Sequence, residues 1–288
     1  MLHLVINQTA GSGRAKKVGA QVISWLAEEG REHSFHFTEC PGHAEALARS
    51  AVEKGAKTVI AIGGDGTVCE TARGLLGTNT ALGLIPAGTG NDIAKALGMP
   101  KKPREALRFI FDHPARPMDA GRINDVAFFN VCGTGFDVCV LDYTLTAKKY
   151  VRGMLPYLWG VIRTILTYQS VKATYQLDGG EKETRRVLLL SVANGSFFGG
   201  GLKIAPGARP NDGYFEFVTI DHMPRWQMPF QVPKLIVGKA DRIPGFSQRR
   251  CKSVFIEADN MRINLDGEIV PVKNASFEML QDALLAHY

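Results

Sequence analysis

Along the first third of the chain, largely apolar runs (Leu2 to Ile6, Ser34 to Phe37, Val59 to Ile62 and Leu82 to Ile85) alternate with stretches of helical spacing such as Ala15 to Glu29 and Ala44 to Lys54. The apolar runs are too short for helices and suit strands covered on both faces. The alternation therefore predicts a parallel sheet with helices on each side. After Asp119-Ala120-Gly121 the texture changes. Val126 to Val131, Ala173 to Leu177, Arg186 to Val192, Tyr214 to Ile220, Ser253 to Glu257, Met261 to Leu265 and Phe277 to Leu280 read as strands joined by turns such as Asp178-Gly179-Gly180. Many strands with few helices predict an antiparallel β domain of the sandwich type. The expected organisation is an α/β domain over residues 1–121 and a β-sandwich domain over 122–280.

Two of the predicted strands end in glycine-rich turns. Val59 to Ile62 runs into Gly63-Gly64-Asp65-Gly66-Thr67, ahead of the helix-like stretch Val68 to Leu76. Leu82 to Ile85 runs into Pro86-Ala87-Gly88-Thr89-Gly90-Asn91-Asp92, ahead of Ile93 to Gly98. Glycines lower the backbone barrier to close approach, and the helix that follows presents the positive end of its dipole, so each turn is suited to a phosphate. Successive units of this kind place both turns at the carboxyl ends of parallel strands, where ligands bind in open α/β sheets, and Asp65 and Asp92 should face one crevice. Either carboxylate could help hold Mg²⁺, and either could equally cap the helix it precedes. Thr38, Thr67 and Thr89 sit where hydroxyls could reach phosphate or ribose, or bond locally. No lysine occupies a Gly-Lys-Ser/Thr context, which excludes a Walker A site.

Composition changes this picture little. The 288 residues are 45% hydrophobic and 22% charged, ordinary values for a globular chain. A net charge of +6 and a pI near 9.1 suit nucleotide phosphates, an anionic membrane or nucleic acid alike, but no aromatic-rich basic module of the nucleic-acid binders is present. Cys40, Cys69, Cys132, Cys139 and Cys251 lack paired or zinc-type spacing and read as small core residues in a reducing compartment. With no secretory pattern at Met1 to Ile6 and no apolar run of about 20 residues, the expectation is a cytoplasmic protein, at most peripheral to a membrane.

Taken in order, the motifs resemble the diacylglycerol kinase catalytic domain family, which includes bacterial soluble lipid kinases and the sphingosine and ceramide kinases. Gly-Gly-Asp-Gly-Thr and Pro-x-Gly-Thr-Gly-Asn-Asp carry the resemblance, together with Asn7 to Gly13, Asn130 to Asp137, Ala193-Asn194-Gly195, Ala205-Pro206 through Asn211-Asp212-Gly213, and Asp266-Gly267-Glu268. One departure is Asn7-Gln8, where the family's usual pair is Asn-Pro. The resemblance implies a Rossmann-like first domain of the phosphofructokinase and NAD kinase type, an active site in the cleft between domains, and a segment 281–288 packing back on the first domain. It implies ATP bound by Asn7, Gln8, Thr9, Ala10, Gly11, Thr38, Gly63, Gly64, Asp65, Gly66, Thr67, Glu70, Gly88, Thr89, Gly90 and Asn91, with Mg²⁺ near Asp65 and Asp92. On sequence alone Glu268, in a hairpin turn, reads as a solvated glutamate; the resemblance makes it the general base, with Asp65 as the alternative. Asn211-Asp212-Gly213 is a plain turn signal, which the resemblance turns into a structural Mg²⁺ site of Asp212 with backbone oxygens of Arg209 and Tyr214.

The implied activity is transfer of the ATP γ-phosphate to a lipid hydroxyl, with diacylglycerol as first expectation and a sphingoid base, ceramide, monoacylglycerol or phosphatidylglycerol as alternatives. A kinase of a soluble acceptor and a non-catalytic lipid-binding homologue are the other readings, and a homodimer is left open. Between Leu141 and Gln169, cations (Lys148, Lys149, Arg152, Arg163) interleave with aromatic and aliphatic residues. This stretch reads either as a membrane-facing amphipathic element and channel wall or as ordinary core packing.

Overall fold

The computed structural model describes residues 1–147, 149–151 and 155–288, so Lys148 and Arg152 lie outside the described residues. Contacts divide the chain into two units: Met1–Ala120 with Pro210–Asp212 and Leu280–Tyr288, and Gly121–Arg209 with Gly213–Met279.

In the first unit strands β1 (Leu2–Ile6), β2 (His33–Phe37), β3 (Thr58–Gly63) and β4 (Ala81–Pro86) alternate with helices α1 (Arg14–Glu28), α2 (His43–Glu53), α3 (Asp65–Leu75), α4 (Asp92–Ala96) and α5 (Pro103–Asp112). The strands lie parallel in the order β2-β1-β3-β4. Val59, Ile60, Ala61 and Ile62 of β3 are inaccessible to solvent, as strands covered on both faces must be. Helix α1 buries Ala15, Val18, Val22 and Leu26, a single stripe at helical spacing. The last strand of the chain, Asn274–His287, is far longer than the run Phe277 to Leu280 anticipated. Its end completes this sheet, with Leu285 and Ala286 running parallel to Ala81 and Leu82 of β4.

The second unit is built on antiparallel strands. Val126 to Val131 is not one strand: β5 (Ala115–Ile123) turns into β6 (Val126–Phe128), and β7 (Val131–Gly135) begins after a break at Phe129 and Asn130. Helices α6 (Phe136–Ala147) and α7 (Leu155–Thr167) occupy the stretch of uncertain role. There follow β8 (Val171–Leu177), β9 (Lys182–Ala193), the short β10 (Phe197–Phe198) and β11 (Leu202–Lys203), β12 (Phe215–Asp221) and helix α8 (Met228–Ile236). The last strands are β13 (Phe246–Cys251), β14 (Ser253–Ala258), β15 (Arg262–Leu265), β16 (Glu268–Pro271) and β17, the strand already described. Strand β9 pairs with β8 along its first half and β7 along its second, with β12 on its other edge. Phe128, Tyr175, Phe215, Phe217 and Phe277 fill one core, while Tyr168, Leu188, Val218, Met223 and Met228 belong to another. No disulfide joins the cysteines among the described residues; Cys69, Cys132 and Cys251 are buried, whereas Cys40 is exposed and so not a core residue.

Candidate active site

Three loops meet at the carboxyl ends of β1, β3 and β4. The loop after β1 is held by Asn7, whose Nδ2 donates to Thr67 Oγ1 (3.0 Å) and whose Oδ1 accepts from Thr9 N (3.1 Å) and Thr9 Oγ1 (2.9 Å). The two glycine-rich turns touch: Ala87 N donates to Gly63 O (2.7 Å), and a methyl on Gly88 would stand 2.3 Å from Gly64 Cα. A methyl on Gly11 would lie 2.2 Å from Ala87 O, so the first loop is packed equally close. Asn91 closes the second turn on itself, accepting from Gly88 N (2.9 Å) and donating to Gly88 O (3.0 Å).

The carboxylates are brought together in a way neither helix predicts by itself. Asp65, the first residue of α3, accepts from Ile93 N (3.0 Å), so it caps α4, the helix after the other turn, and not the helix it begins. Asn91 supplies no side-chain cap to α4. Burial, and then the neighbouring Asp92, push the Asp65 carboxyl up to about 6, against the pull of the backbone N–H groups of Ile93, Asp92 and Asn91. Asp92 is buried and pairs with Lys95 Nζ at 2.9 Å. Helix α3 starts without a side-chain cap, leaving its amino end and partial positive charge facing the loops.

Other anticipated residues have plainer surroundings. Glu70 Oε2 accepts from Ala44 N (3.1 Å), serving the amino end of α2, which has no side-chain cap of its own. Thr38 follows β2, its N–H bonded to Ile6 O (2.9 Å). Gln8 and Ala10 lie half-buried in the first loop, Gly66 is exposed in the first turn of α3, and Thr89 and Gly90 form the tip of the second turn.

In the second unit the later motifs converge on the turn before Glu268. Leu265 pairs with Glu268 across a two-residue hairpin, with Asp266 (φ 48°) and Gly267 (φ 99°) both left-handed, the geometry a tight hairpin demands. Asp266 accepts from Phe129 N (3.2 Å) and Asn130 N (3.3 Å), which accounts for the break between β6 and β7. Asn130 O in turn accepts from Asn194 N (2.8 Å) and Gly195 N (3.1 Å). Gly267 N donates to Asn264 Oδ1 (2.9 Å), and Asn264 Nδ2 donates to Asp137 Oδ2 (3.3 Å). Burial pushes the Asp137 carboxyl up to about 7, only partly offset by the N–H groups of Val138 and Asp137 and by the Asn264 amide. Glu268 itself is exposed. Asp212 belongs to the first unit, while Arg209 and Tyr214 belong to the second; no cluster of three or more His, Cys, Asp or Glu suited to a metal exists among the described residues.

Comparison with known proteins decides the family. Residues 1–123 match the diacylglycerol kinase catalytic domain, and residues 130–286 match the YegS C-terminal NAD kinase beta sandwich-like domain. A diacylglycerol kinase of Bacillus subtilis (strain 168) is 31% identical over 281 residues, 92% of this chain and 89% of that protein. The chain belongs to the diacylglycerol kinase family. A probable lipid kinase YegS-like protein of Chromohalobacter salexigens is 31% identical over 258 residues, 86% of this chain and 81% of that one. The fold of this family member follows a diacylglycerol kinase of Bacillus anthracis (TM-score 0.76, 21% identity, covering 100% of this chain and 96% of that one). It also follows, more distantly, an NAD kinase of Archaeoglobus fulgidus crystallised with ATP (TM-score 0.58, 13% identity, covering 100% and 94%).

Arg14 was not anticipated. Its guanidinium donates to Gly88 O (2.6 Å) and Ala87 O (3.3 Å), tying the first loop to the second glycine-rich turn. A signal was present: a cation at the first position of a helix opposes the helix dipole and calls for a compensating partner. Lys95 was legible as an i,i+3 partner of Asp92 on the same helix, whereas Asn264 carried no signal, because its partner Asp137 is set by the fold.

Proposed function

We propose that this kinase transfers the γ-phosphate of ATP to the primary hydroxyl of diacylglycerol, giving phosphatidic acid. The observation that carries the reading is the pair Asp65 and Asp92, held together by two touching glycine-rich turns beside the uncapped amino end of α3. Two adjacent carboxylates, one pushed up to about 6, fit a site completed by a divalent cation with oxygen ligands. Mg²⁺ held there would neutralise charge on the transferring phosphate. The backbone amides of the loops and of the α3 terminus orient the nucleotide. As the lipid oxygen bonds to phosphorus and the bond to the ADP oxygen breaks, Glu268 takes the hydroxyl proton. The turn that carries Glu268 is pinned through Asp266 and through Asn264 on Asp137, which supports its assignment as a positioned group. Asp212, with backbone oxygens of Arg209 and Tyr214, is proposed as a structural Mg²⁺ site. No helix among the described residues is long and apolar enough to cross a membrane, and contact with an anionic surface through the segment containing α7 is part of the reading.

The test is a panel of lipids, diacylglycerol, monoacylglycerol, ceramide, a sphingoid base and phosphatidylglycerol, each with radiolabelled ATP and Mg²⁺. Label extracted as phosphatidic acid is expected; label in another lipid alone, or none in the organic phase, overturns the substrate assignment. Glu268→Gln is expected to keep nucleotide affinity and lower turnover by about 10²- to 10⁴-fold. Near-normal turnover would pass the proton-accepting role to Asp65.

A further inference from the structure

Helix α8 and its flanks present large apolar side chains to solvent. Trp226 is 69% and Phe230 68% exposed, and Ile236 and Val237 are more than half exposed. The helix is anchored from beneath: Met228 is buried, and Leu235 packs against the core that also contains Tyr168 and Met223. Arg225 Nε donates to Tyr168 O (3.2 Å), so the approach to α8 is fastened to the end of the α7 segment. Helix α7 also leaves Leu155, Leu158, Trp159 and Leu166 more than half exposed, and Ile165 rests on the same core. Scattered apolar residues on a surface mean little, but a row of them along one helix that is anchored from beneath offers an apolar docking face.

The charge pattern selects what covers this face. Residues 143–177 and 222–240 contain none of the chain's 28 acidic residues, yet they carry Lys149, Arg163, Lys172, Arg225, Lys234 and Lys239. A second copy docking face to face would set cations mostly against cations, with Asp241 the nearest acid in the chain to the α8 end, because a two-fold interface meets itself. Anionic headgroups supply the missing charge, and tryptophan, phenylalanine and long basic side chains are the residues that settle at the headgroup boundary. We infer that α8, with Trp226, Phe230, Ile236 and Val237 inserted and Lys239 at the headgroups, is a membrane-docking element that seats the second unit on an anionic bilayer. The inference rests on the lipid-kinase reading only in that the substrate lies in such a bilayer.

The experiment uses the full chain and sedimentation with phosphatidylcholine vesicles, with and without phosphatidylglycerol, at low and high salt. Wild type is expected to bind the anionic vesicles and to release as salt rises. Trp226→Ala/Phe230→Ser is expected to weaken binding by roughly tenfold or more, in line with the loss of two inserted side chains. Lys239→Glu, an exposed single change that leaves the apolar face intact, is expected to weaken binding to anionic vesicles alone. In parallel, activity on a short-chain, water-soluble diacylglycerol should be unchanged in both variants while activity on vesicle-borne lipid falls. Wild type that ignores vesicles, or variants that bind as wild type does, overturn the assignment. So does a fall in particle mass by light scattering in the variants, which would make the face a contact between copies. Failure to phosphorylate any lipid overturns the functional reading instead, and leaves vesicle binding to be judged separately.

Discussion

Asp65 carries two duties that pull in opposite directions: it caps α4 through Ile93 N, and it stands beside Asp92 in a half-buried site. Its carboxyl, pushed up to about 6, is costly to keep ionised at neutral pH, so Asp65→Asn is expected to melt at or above the wild-type temperature while losing turnover at least as severely as Glu268→Gln. Retained activity in that variant would contradict the shared role of the pair. Asp137 is a second carboxyl of this kind, pushed up to about 7 from 3.8 by burial. Since both groups bind a proton more tightly folded than unfolded, their stabilisation is full below about 3.8 and is lost as pH rises through about 6 and about 7. Denaturant titrations should therefore give a stability falling between about pH 4 and about pH 7 and level above it, by about 1.4 kcal/mol for each unit of pKa difference, and Asp137→Asn should remove part of that fall. An unchanged slope would mean that Asp137 titrates normally. The sequence made the Asp65 turn legible through its glycines; it could not show which helix the carboxylate caps.

At the scale of elements, the contact between the two turns is steric. A methyl at Gly88 would meet Gly64 Cα, backbone that cannot swing aside, whereas one at Gly66 would meet nothing within 4 Å. Gly88→Ala is expected to cost about 1–3 kcal/mol as the turns are forced apart, and to raise the KM for ATP. Gly66→Ala should leave thermal stability unchanged or slightly higher. Equal melting temperatures for the two variants would show that the turns separate freely. The hairpin before Glu268 was readable because Asp-Gly between alternating apolar positions is a strong local signal. The break at Phe129 and Asn130 was not, since the partner that bends the chain there, Asp266, is more than a hundred residues away. Strand β13 escaped for a local reason: Ser247, Gln248, Arg249 and Arg250 give it almost no apolar alternation, yet it pairs along β12 from Phe246 to Cys251.

At the scale of the molecule, the first unit is discontinuous in sequence. Leu284 and Ala286 are buried, Asp282 N donates to Asp119 Oδ1 (2.9 Å), and Gly77 N donates to Ala283 O (3.0 Å). A fragment of residues 1–123 leaves β4 as an unpaired edge and is expected to lack a cooperative thermal transition, with a peptide of residues 280–288 restoring one. A sharp melt for the fragment alone would show the last strand to be dispensable. Sequence by itself determined the parallel and antiparallel halves, the glycine-rich turns and the hairpin, because each is written in period, run length or backbone freedom over a few neighbouring residues. Tertiary structure alone decided that Asp65 caps α4, that Arg14 binds the Ala87 and Gly88 carbonyls, that Asp137 supports the Glu268 turn through Asn264, and that the chain's end is the fifth strand of the first sheet. These pairings join residues far apart in the chain, and a buried polar group takes whatever partner the assembled layers bring within reach.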